Sequence, residues 1–261
     1  MNYNKFILFG DSITQYSNEI VDNFALQPSL QNLYIRKLDI LNRGYSGYNS
    51  KHAKLILPKL LESEFNSTKD NIKLMTIFFG TNDAFENINS IQPVSLEEYK
   101  NNIEFLVKTV IGYGIKVILI GPGLHDPKLA VKEFTNSEKK NLGKDATTNK
   151  RLYQYSKAAK SVANDYDIPF IDLWEEFRKD GGWTKEQIFE VSGDLNEWQV
   201  GNFEAYLNDG IHYTPKAYKI LFNGILEAIK TKYPHLLPEN LPTKLSDWKE
   251  INPDNLESIF K

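Results

Sequence analysis

The chain has 261 residues, of which 41% are hydrophobic and 25% are charged, as in an ordinary globular protein long enough for one large α/β domain. Its net charge of −3 offers no basic field for a phosphate backbone, so we expect no nucleic-acid partner. The absence of cysteine excludes disulfides, thiol nucleophiles and cysteine-based metal sites. No apolar run is long enough for a membrane span, and residues 1–5 lack a signal-peptide pattern. We therefore expect an intracellular, cytoplasmic protein.

Five short apolar runs have the length of buried strands. They cover residues 5–9, 38–42, 72–79, 115–120 and 169–172. Runs that are apolar at nearly every position are typical of strands covered on both faces of a parallel sheet.

Helical patterns lie between and after these runs. Ser95-Leu96-Glu97-Glu98 matches a capping box, and Thr214-Pro215 reads as an N-cap followed by the first helical residue. Helices are also predicted in the later half of 21–34, over 52–61 with a bend or boundary at Leu57-Pro58, and from Leu152 to Tyr166. The alternation predicts an α/β fold: a three-layer α/β/α sandwich around a mostly parallel five-stranded sheet.

Three segments lack clear periodicity. Residues 125–148 are charged and are interpreted as a surface excursion, and residues 181–208 are rich in Trp, Phe and Glu. Residues 233–261 begin with prolines and are predicted to form an extended C-terminal arm of the same domain, whose main body is 1–232.

Polar residues follow three of the predicted strands. Gly10-Asp11-Ser12 follows the first, Arg43-Gly44 the second and Gly80-Thr81-Asn82-Asp83 the third. Ligands of parallel α/β sheets bind outside the carboxyl ends of the strands, so these residues are predicted to share one edge and one site. Taken singly, each is also explained as a turn, with Ser12 or Asn82 capping the next element.

His212 is the best placed of the four histidines to act as a base for Ser12. Asp209 precedes it by three residues in a loop before a capped helix, so the carboxylate can reach the imidazole and orient it. The alternative is an ordinary Asp-Gly turn with a surface histidine near a helix start.

Taken together and in order, these blocks resemble the GDSL/SGNH hydrolase family. They are Gly10-Asp11-Ser12, Gly44, Gly80-Thr81-Asn82-Asp83 and Asp209-Gly210-Ile211-His212. The wording around them, such as residues 40–48 and 118–123, is most similar to the fungal isoamyl acetate-hydrolysing esterase subfamily. The resemblance implies the flavodoxin-like fold of that family.

The resemblance also implies roles for individual residues. Ser12 would be the nucleophile, His212 the base and Asp209 its orienter. The oxyanion hole would comprise the N–H groups of Ser12 and Gly44 and the side-chain amide of Asn82. No cofactor and no metal are implied.

The expected activity is serine-dependent hydrolysis of small carboxylic esters through an acyl-enzyme, with acetate esters of short alcohols as substrates. The alternatives keep the site but change the substrate to O-acetylated carbohydrates or lysophospholipids. Residues 181–208 look longer than is usual in the subfamily, which bears on substrate range because this segment enters the loop of Asp209. A homodimer that involves the C-terminal arm is a further expectation.

Overall fold

The computed structural model describes the chain over residues 3–65, 71–86, 91–134, 147–192, 201 and 203–260. Within these ranges a five-stranded sheet has the order β2-β1-β3-β4-β5, and every neighbouring pair is parallel. The strands are β1 (Asn4–Gly10), β2 (Leu38–Gly44), β3 (Ile72–Phe78), β4 (Lys116–Gly121) and β5 (Phe170–Asp172). The predicted α/β class and the five predicted strands are confirmed.

Helices cover both faces of this sheet. The described helices are α1 (Ser12–Gln15), α2 (Leu26–Leu33), α3 (Ser50–Glu64), α4 (Leu96–Gly112), α5 (Pro127–Phe134), α6 (Asn149–Asp165), α7 (Leu173–Asp180), α8 (Lys185–Phe189) and α9 (Pro215–Lys232). Helix α4 contacts α3 and α6 in one layer, and α9 contacts α2 and α7 in the other. No helix among the described residues is long and apolar enough to cross a membrane.

Helix α3 runs through Pro58, where the sequence predicted a bend or boundary. A proline inside a helix removes one backbone hydrogen bond, which is a local cost. Leu57, Leu60 and Leu61 are buried on the core side of α3. Their burial stabilises the continued helix against that cost.

The segments without clear periodicity contain more structure than the sequence predicted. Helix α5 lies within 125–148, and α8 lies within 181–208. The predictions for 135–146, 193–200 and 202 lie outside the described residues.

The C-terminal arm contacts the body of its own chain. Leu236 O accepts a hydrogen bond from the Tyr34 hydroxyl (2.9 Å). Farther along, the Arg36 guanidinium donates to Leu245 O (3.0 Å) and Ser246 O (2.9 Å). These contacts tie the arm to the turn before β2, at the edge of the sheet. A homodimer through the arm stays a prediction.

The parallel register brings the predicted strand ends together. Gly10 of β1 is paired with Gly44 of β2 on one side and with Phe78 of β3 on the other. Residues that follow β1 and β3 therefore emerge side by side at the carboxyl edge of the sheet.

Candidate active site

Ser12 is the first residue of α1, two residues after the end of β1, which lies between β2 and β3 in the sheet. Asp11 caps this helix, and its Oδ1 accepts the Ile13 N–H at 2.9 Å. Gly10 is required by close packing, because a Cβ there would lie 2.1 Å from Thr14 Oγ1 and 2.7 Å from Phe78 O. The tight turn holds the hydroxyl of Ser12 at the strand end, and the residue is 6% exposed.

His212 lies between the Ser12 hydroxyl and the Asp209 carboxylate. Its Nε2 is 2.9 Å from Ser12 Oγ, and its Nδ1 is 2.6 Å from Asp209 Oδ2. Tyr16 packs edge-on against the imidazole, with ring centroids 5.1 Å apart. The predicted group Ser12, Asp209 and His212 is thus assembled in one hydrogen-bonded line. Such a line can move a proton from the hydroxyl to the imidazole.

The second oxygen of Asp209 is bound by its own loop. Oδ1 accepts the N–H groups of Ile211 (3.0 Å) and His212 (2.8 Å). Burial by itself raises the pKa of Asp209, but the hydrogen bonds and charge of His212 and the two backbone N–H groups outweigh it and lower the pKa to about 2. Asp209 is therefore ionised at neutral pH and can stabilise a charged imidazole.

Gly210 connects the carboxylate to the imidazole in a conformation that favours glycine. Its φ is +91°, and a Cβ there would lie 2.4 Å from Asp126 O. Its carbonyl accepts the Asp126 N–H (2.9 Å) and faces His125 Nδ1 (2.8 Å). The loop that carries Asp209 and His212 is therefore fastened to the segment after β4.

His125 is buried, at 2% exposure, whereas the sequence analysis placed it in a surface excursion. Because a carbonyl only accepts, Nδ1 carries the hydrogen of the bond to Gly210 O. Burial lowers the pKa of His125 to about 4, although Gly210 O and nearby carboxylates oppose the shift. The signal that could have found it is position, since His125 follows the Gly-Pro-Gly that ends the fourth predicted strand.

Asn82 follows β3 and is also buried at the carboxyl edge, at 6% exposure. Its Nδ2 donates to Tyr48 O (2.8 Å), and its Oδ1 accepts from Gln92 Nε2 (3.1 Å). The neighbouring Asp83 accepts from Ser50 N (3.0 Å) and from the Ser50 hydroxyl. Burial raises the pKa of Asp83 to about 7, although the bonds from Ser50 oppose this. Asp83 thereby joins the segment after β3 to the first residue of α3.

Gly44 does not have the surroundings that the sequence analysis expected. It is the last residue of β2 rather than part of a loop, and its N–H donates to Asn42 Oδ1 at 2.9 Å. A Cβ at Gly44 would lie 2.0 Å from the backbone nitrogen of Gln15. The glycine lets α1 pack against β2, and its occupied N–H argues against Gly44 as an oxyanion donor.

Gly47 lies three residues farther along, beyond the end of β2. Its φ is +79°, and its carbonyl accepts from Gln92 Nε2 at 3.3 Å. Among the residues that the structure describes, its N–H donates to none. The sequence contains both glycines in the stretch 43–48, and only the structure shows that the Gly44 N–H is already bonded to Asn42.

The GDSL-like lipase/acylhydrolase family model matches residues 8–220. The chain belongs to this family. The match begins within β1 and ends in α9, so it includes Ser12, Asn82, Asp209 and His212.

Similar proteins of the GDSL-like family include esterases from fungi and animals. The chain is 38% identical to the isoamyl acetate-hydrolyzing esterase of Saccharomyces cerevisiae in an alignment that covers 97% of this chain and 98% of that protein. It is 32% identical to the isoamyl acetate-hydrolyzing esterase 1 homolog of Bos taurus over 94% of this chain and 87% of that one. The protein is an ester hydrolase of the GDSL-like family.

Solved structures of esterases share the fold. An acetyl xylan esterase, AlAXEase, superposes with a TM-score of 0.56 at 17% identity, over 86% of this chain and 99% of that one. An acetylxylan esterase from Geobacillus stearothermophilus gives 0.54 at 19% identity, over 87% and 94%. At these identities the likeness concerns the architecture alone.

Proposed function

We propose that this ester hydrolase cleaves small carboxylic esters through an acyl-enzyme on Ser12, with acetate esters of short alcohols as its substrates. The observation that carries the proposal is the line of hydrogen bonds Ser12 Oγ–His212 Nε2 (2.9 Å) and His212 Nδ1–Asp209 Oδ2 (2.6 Å). A hydroxyl is a weak nucleophile unless an adjacent base removes its proton, and this arrangement supplies the base.

In the acylation step His212 Nε2 accepts the Ser12 proton while Oγ bonds to the ester carbonyl carbon. The carbonyl electron pair moves onto oxygen and forms an oxyanion. When the intermediate collapses, the bond to the alcohol oxygen breaks, and His212 gives its proton to that oxygen. Water then attacks the acyl-serine by the same route, which releases the acid and restores Ser12. Asp209 stays ionised throughout and stabilises the transient imidazolium.

Three donors would stabilise the oxyanion. The Ser12 N–H belongs to the first turn of α1, where backbone donors have no partner within the helix. Asn82 Nδ2 has a second hydrogen besides the one given to Tyr48 O. We assign the third donor to the Gly47 N–H, in place of Gly44. One such donor is typically worth about 3–4 kcal/mol of barrier.

The cavities beside these residues support a small substrate. One of about 350 Å³ is lined by Tyr16, His212 and Tyr218 among others. Another of about 500 Å³ is lined by Gly47, Tyr48 and neighbouring apolar side chains of α3. Both fall in the size range of small-molecule sites. A larger cavity of about 890 Å³ lies along β5, away from Ser12, and we assign it no part in ester cleavage.

A rate series tests the proposal. We expect kcat/KM for aryl esters to be highest with acetate and to fall as the acyl chain lengthens, and we expect isoamyl and ethyl acetates to be hydrolysed. The Ser12→Ala variant is expected to lose activity on every member. Activity confined to long acyl chains would favour a lysophospholipase, and activity confined to acetylated sugars would favour a carbohydrate esterase. Full activity of Ser12→Ala would overturn the mechanism itself.

A further inference from the structure

Gln92 joins the two segments that carry the proposed side-chain and backbone oxyanion donors after β2 and β3. Its Nε2 donates to Asn82 Oδ1 at 3.1 Å and to Gly47 O at 3.3 Å. A side-chain amide has two N–H hydrogens, so one nitrogen can serve both acceptors.

The first of these bonds determines which way the Asn82 amide faces. Tyr48 O can only accept, so it must face Asn82 Nδ2, and the Gln92 donor must face Asn82 Oδ1. With the oxygen turned to Gln92, the remaining Nδ2 hydrogen is left for an oxyanion. The reversed amide would present an acceptor to the developing negative charge, which is the wrong polarity.

The second bond acts on the peptide of Gly47. The Gly47 carbonyl belongs to the peptide unit shared with Tyr48, whereas the Gly47 N–H belongs to the unit shared with Ser46. Glycine at φ +79° has more backbone freedom than other residues, so contacts on either unit restrict how the two turn relative to each other. The bond from Gln92 to Gly47 O, together with that from the Tyr48 N–H to Tyr45 O (3.1 Å), holds the unit on the Tyr48 side.

Gln92 is itself held by a rigid element. Asn49 is fully buried, caps α3 and accepts the His52 N–H at 3.1 Å. Its Nδ2 donates to the carbonyls of Ile91 (3.1 Å) and Gln92 (2.8 Å). The position of Gln92 is therefore set by the N-terminus of α3, and both oxyanion segments are referred to that helix.

We infer that Gln92 is a positioning residue for the oxyanion hole: its side-chain amide orients the Asn82 amide toward the ester oxygen and restricts the backbone of Gly47, whose N–H is the proposed backbone donor. This inference rests on the proposed function, because it gives Asn82 and Gly47 the part of oxyanion donors. Gln92 itself contacts neither Ser12 nor His212 in any described hydrogen bond.

The test compares two substitutions at Gln92 with a matched control. Gln92→Leu removes both hydrogen bonds, and Gln92→Glu keeps the size of the side chain but replaces the donor by an acceptor. We expect kcat to fall about 10- to 100-fold in Gln92→Leu, at least as far in Gln92→Glu, and KM to change by less than about threefold. The control is Gln31→Leu, since Gln31 makes two similar bonds to β2, to Leu38 O (3.1 Å) and from Ile40 N (2.8 Å). The control is expected to keep kcat.

A double-mutant cycle separates positioning from a general loss of structure. If Gln92 acts through Asn82, Gln92→Leu should cost roughly tenfold less in an Asn82→Ala background than in the wild type. Losses that simply multiply would overturn the inference. An Asn82→Ala variant with full kcat would overturn the oxyanion part of the proposed function instead, so the two failures are distinguishable.

A trifluoromethyl ketone inhibitor gives an independent readout. Ser12 Oγ would add to the ketone carbon, its proton would pass to His212, and the former carbonyl oxygen would become an oxyanion. Across wild type, Gln92→Leu and Gln92→Glu, we expect the inhibition constant to rise in proportion to the loss of kcat/KM. Unchanged inhibitor affinity in folded Gln92 variants would overturn the inference, and thermal unfolding of each variant establishes that it is folded.

Discussion

His212 belongs to the loop Asp209–His212 and His125 contacts that loop, yet the two imidazoles differ in exposure and in the group that faces Nδ1. The His212 side chain is 22% exposed and places Nδ1 against the Asp209 carboxylate, which leaves Nε2 for Ser12. His125 is 2% exposed and places Nδ1 against the Gly210 carbonyl. A carboxylate stabilises a charged imidazole, whereas a carbonyl within the core orients a neutral one.

The contrast shows that burial and partner, rather than residue type, separate a proton acceptor from a fastening. Burial lowers the pKa of His125 to about 4, so it is neutral at physiological pH. It can still hold the loop through its Nδ1–H. In this account His212 moves the proton, and His125 with Asp126 keeps the backbone of Gly210 in place.

The largest expected effect comes from His212→Ala, which removes the base that lies 2.9 Å from Ser12 Oγ. We expect kcat to fall by about a millionfold, as removal of the triad histidine does in the serine protease subtilisin. Steady-state kinetics on an aryl acetate measure it. The comparison would break if His125→Leu caused a loss as large in a protein that still folds.

Asp209→Asn is expected to lower kcat by about ten-thousandfold. The amide can still bond to the imidazole, but it stabilises the wrong tautomer and carries no charge to balance the imidazolium. The result is checked with the same ester and with thermal unfolding. A loss below tenfold would show that the carboxylate contributes little beyond packing.

His125→Leu is expected to lower kcat by about 10-fold, because a small displacement of a reacting group is costly even when the group itself is intact. The Asp126 N–H still holds Gly210 O at 2.9 Å, which limits the loss. His125→Asn places a donor near the position of Nδ1 and is expected to recover most of the activity. Equal losses in both variants would argue that the volume of the ring, and not its N–H, supports the loop.

The smallest effect concerns acid stability. The folded pKa of His125 is lowered from 6.5 to about 4, so the unfolded chain binds the proton more readily, and stability is lost as the pH falls from about 6.5 through about 4. Asp209 contributes a similar loss only at lower pH, as its folded pKa is about 2. Asp11 and Asp83 act in the opposite direction, because burial raises the pKa of each to about 7 and their contribution is lost as the pH rises toward 7.

His125→Asn removes only the first of these contributions. We therefore expect its melting temperature to drop less than that of the wild type between about pH 7.5 and about pH 4.5. Calorimetry or circular dichroism at the two pH values measures the difference. Parallel drops in the two proteins would show that His125 is not the group that titrates.

The features that were predictable from sequence are those encoded locally. Continuous apolar runs such as 72–79 revealed the strands, and parallel strands bring their carboxyl ends to one edge whatever their order. Asp209 and His212 are three residues apart, so their contact follows from a single tight turn. Ser12 and Asn82 were found because each follows a strand.

Most of the features that were missed depend on distant contacts. Whether the N–H of Gly44 or that of Gly47 is free depends on Asn42 and on where β2 ends, and no spacing encodes that. Gln92 reaches Asn82 and Gly47 across 10 and 45 residues of sequence. His125 reaches Gly210 across 85 residues. For Gln92 and His125 the decisive partner is brought near only by the assembled fold, whereas for Gly44 the partner is local and the rotamer of Asn42 decides.

The central claim is that Ser12 becomes the nucleophile because His212, and not His125, takes its proton. Treatment with an organophosphonate ester, followed by mass spectrometry of the peptides, tests it most directly. We predict one adduct, at Ser12, that grows in proportion to the loss of esterase activity; it should persist in His125→Asn and be undetectable in His212→Ala. Complete inactivation with Ser12 unmodified, or undiminished labelling of Ser12 in His212→Ala, would contradict the account.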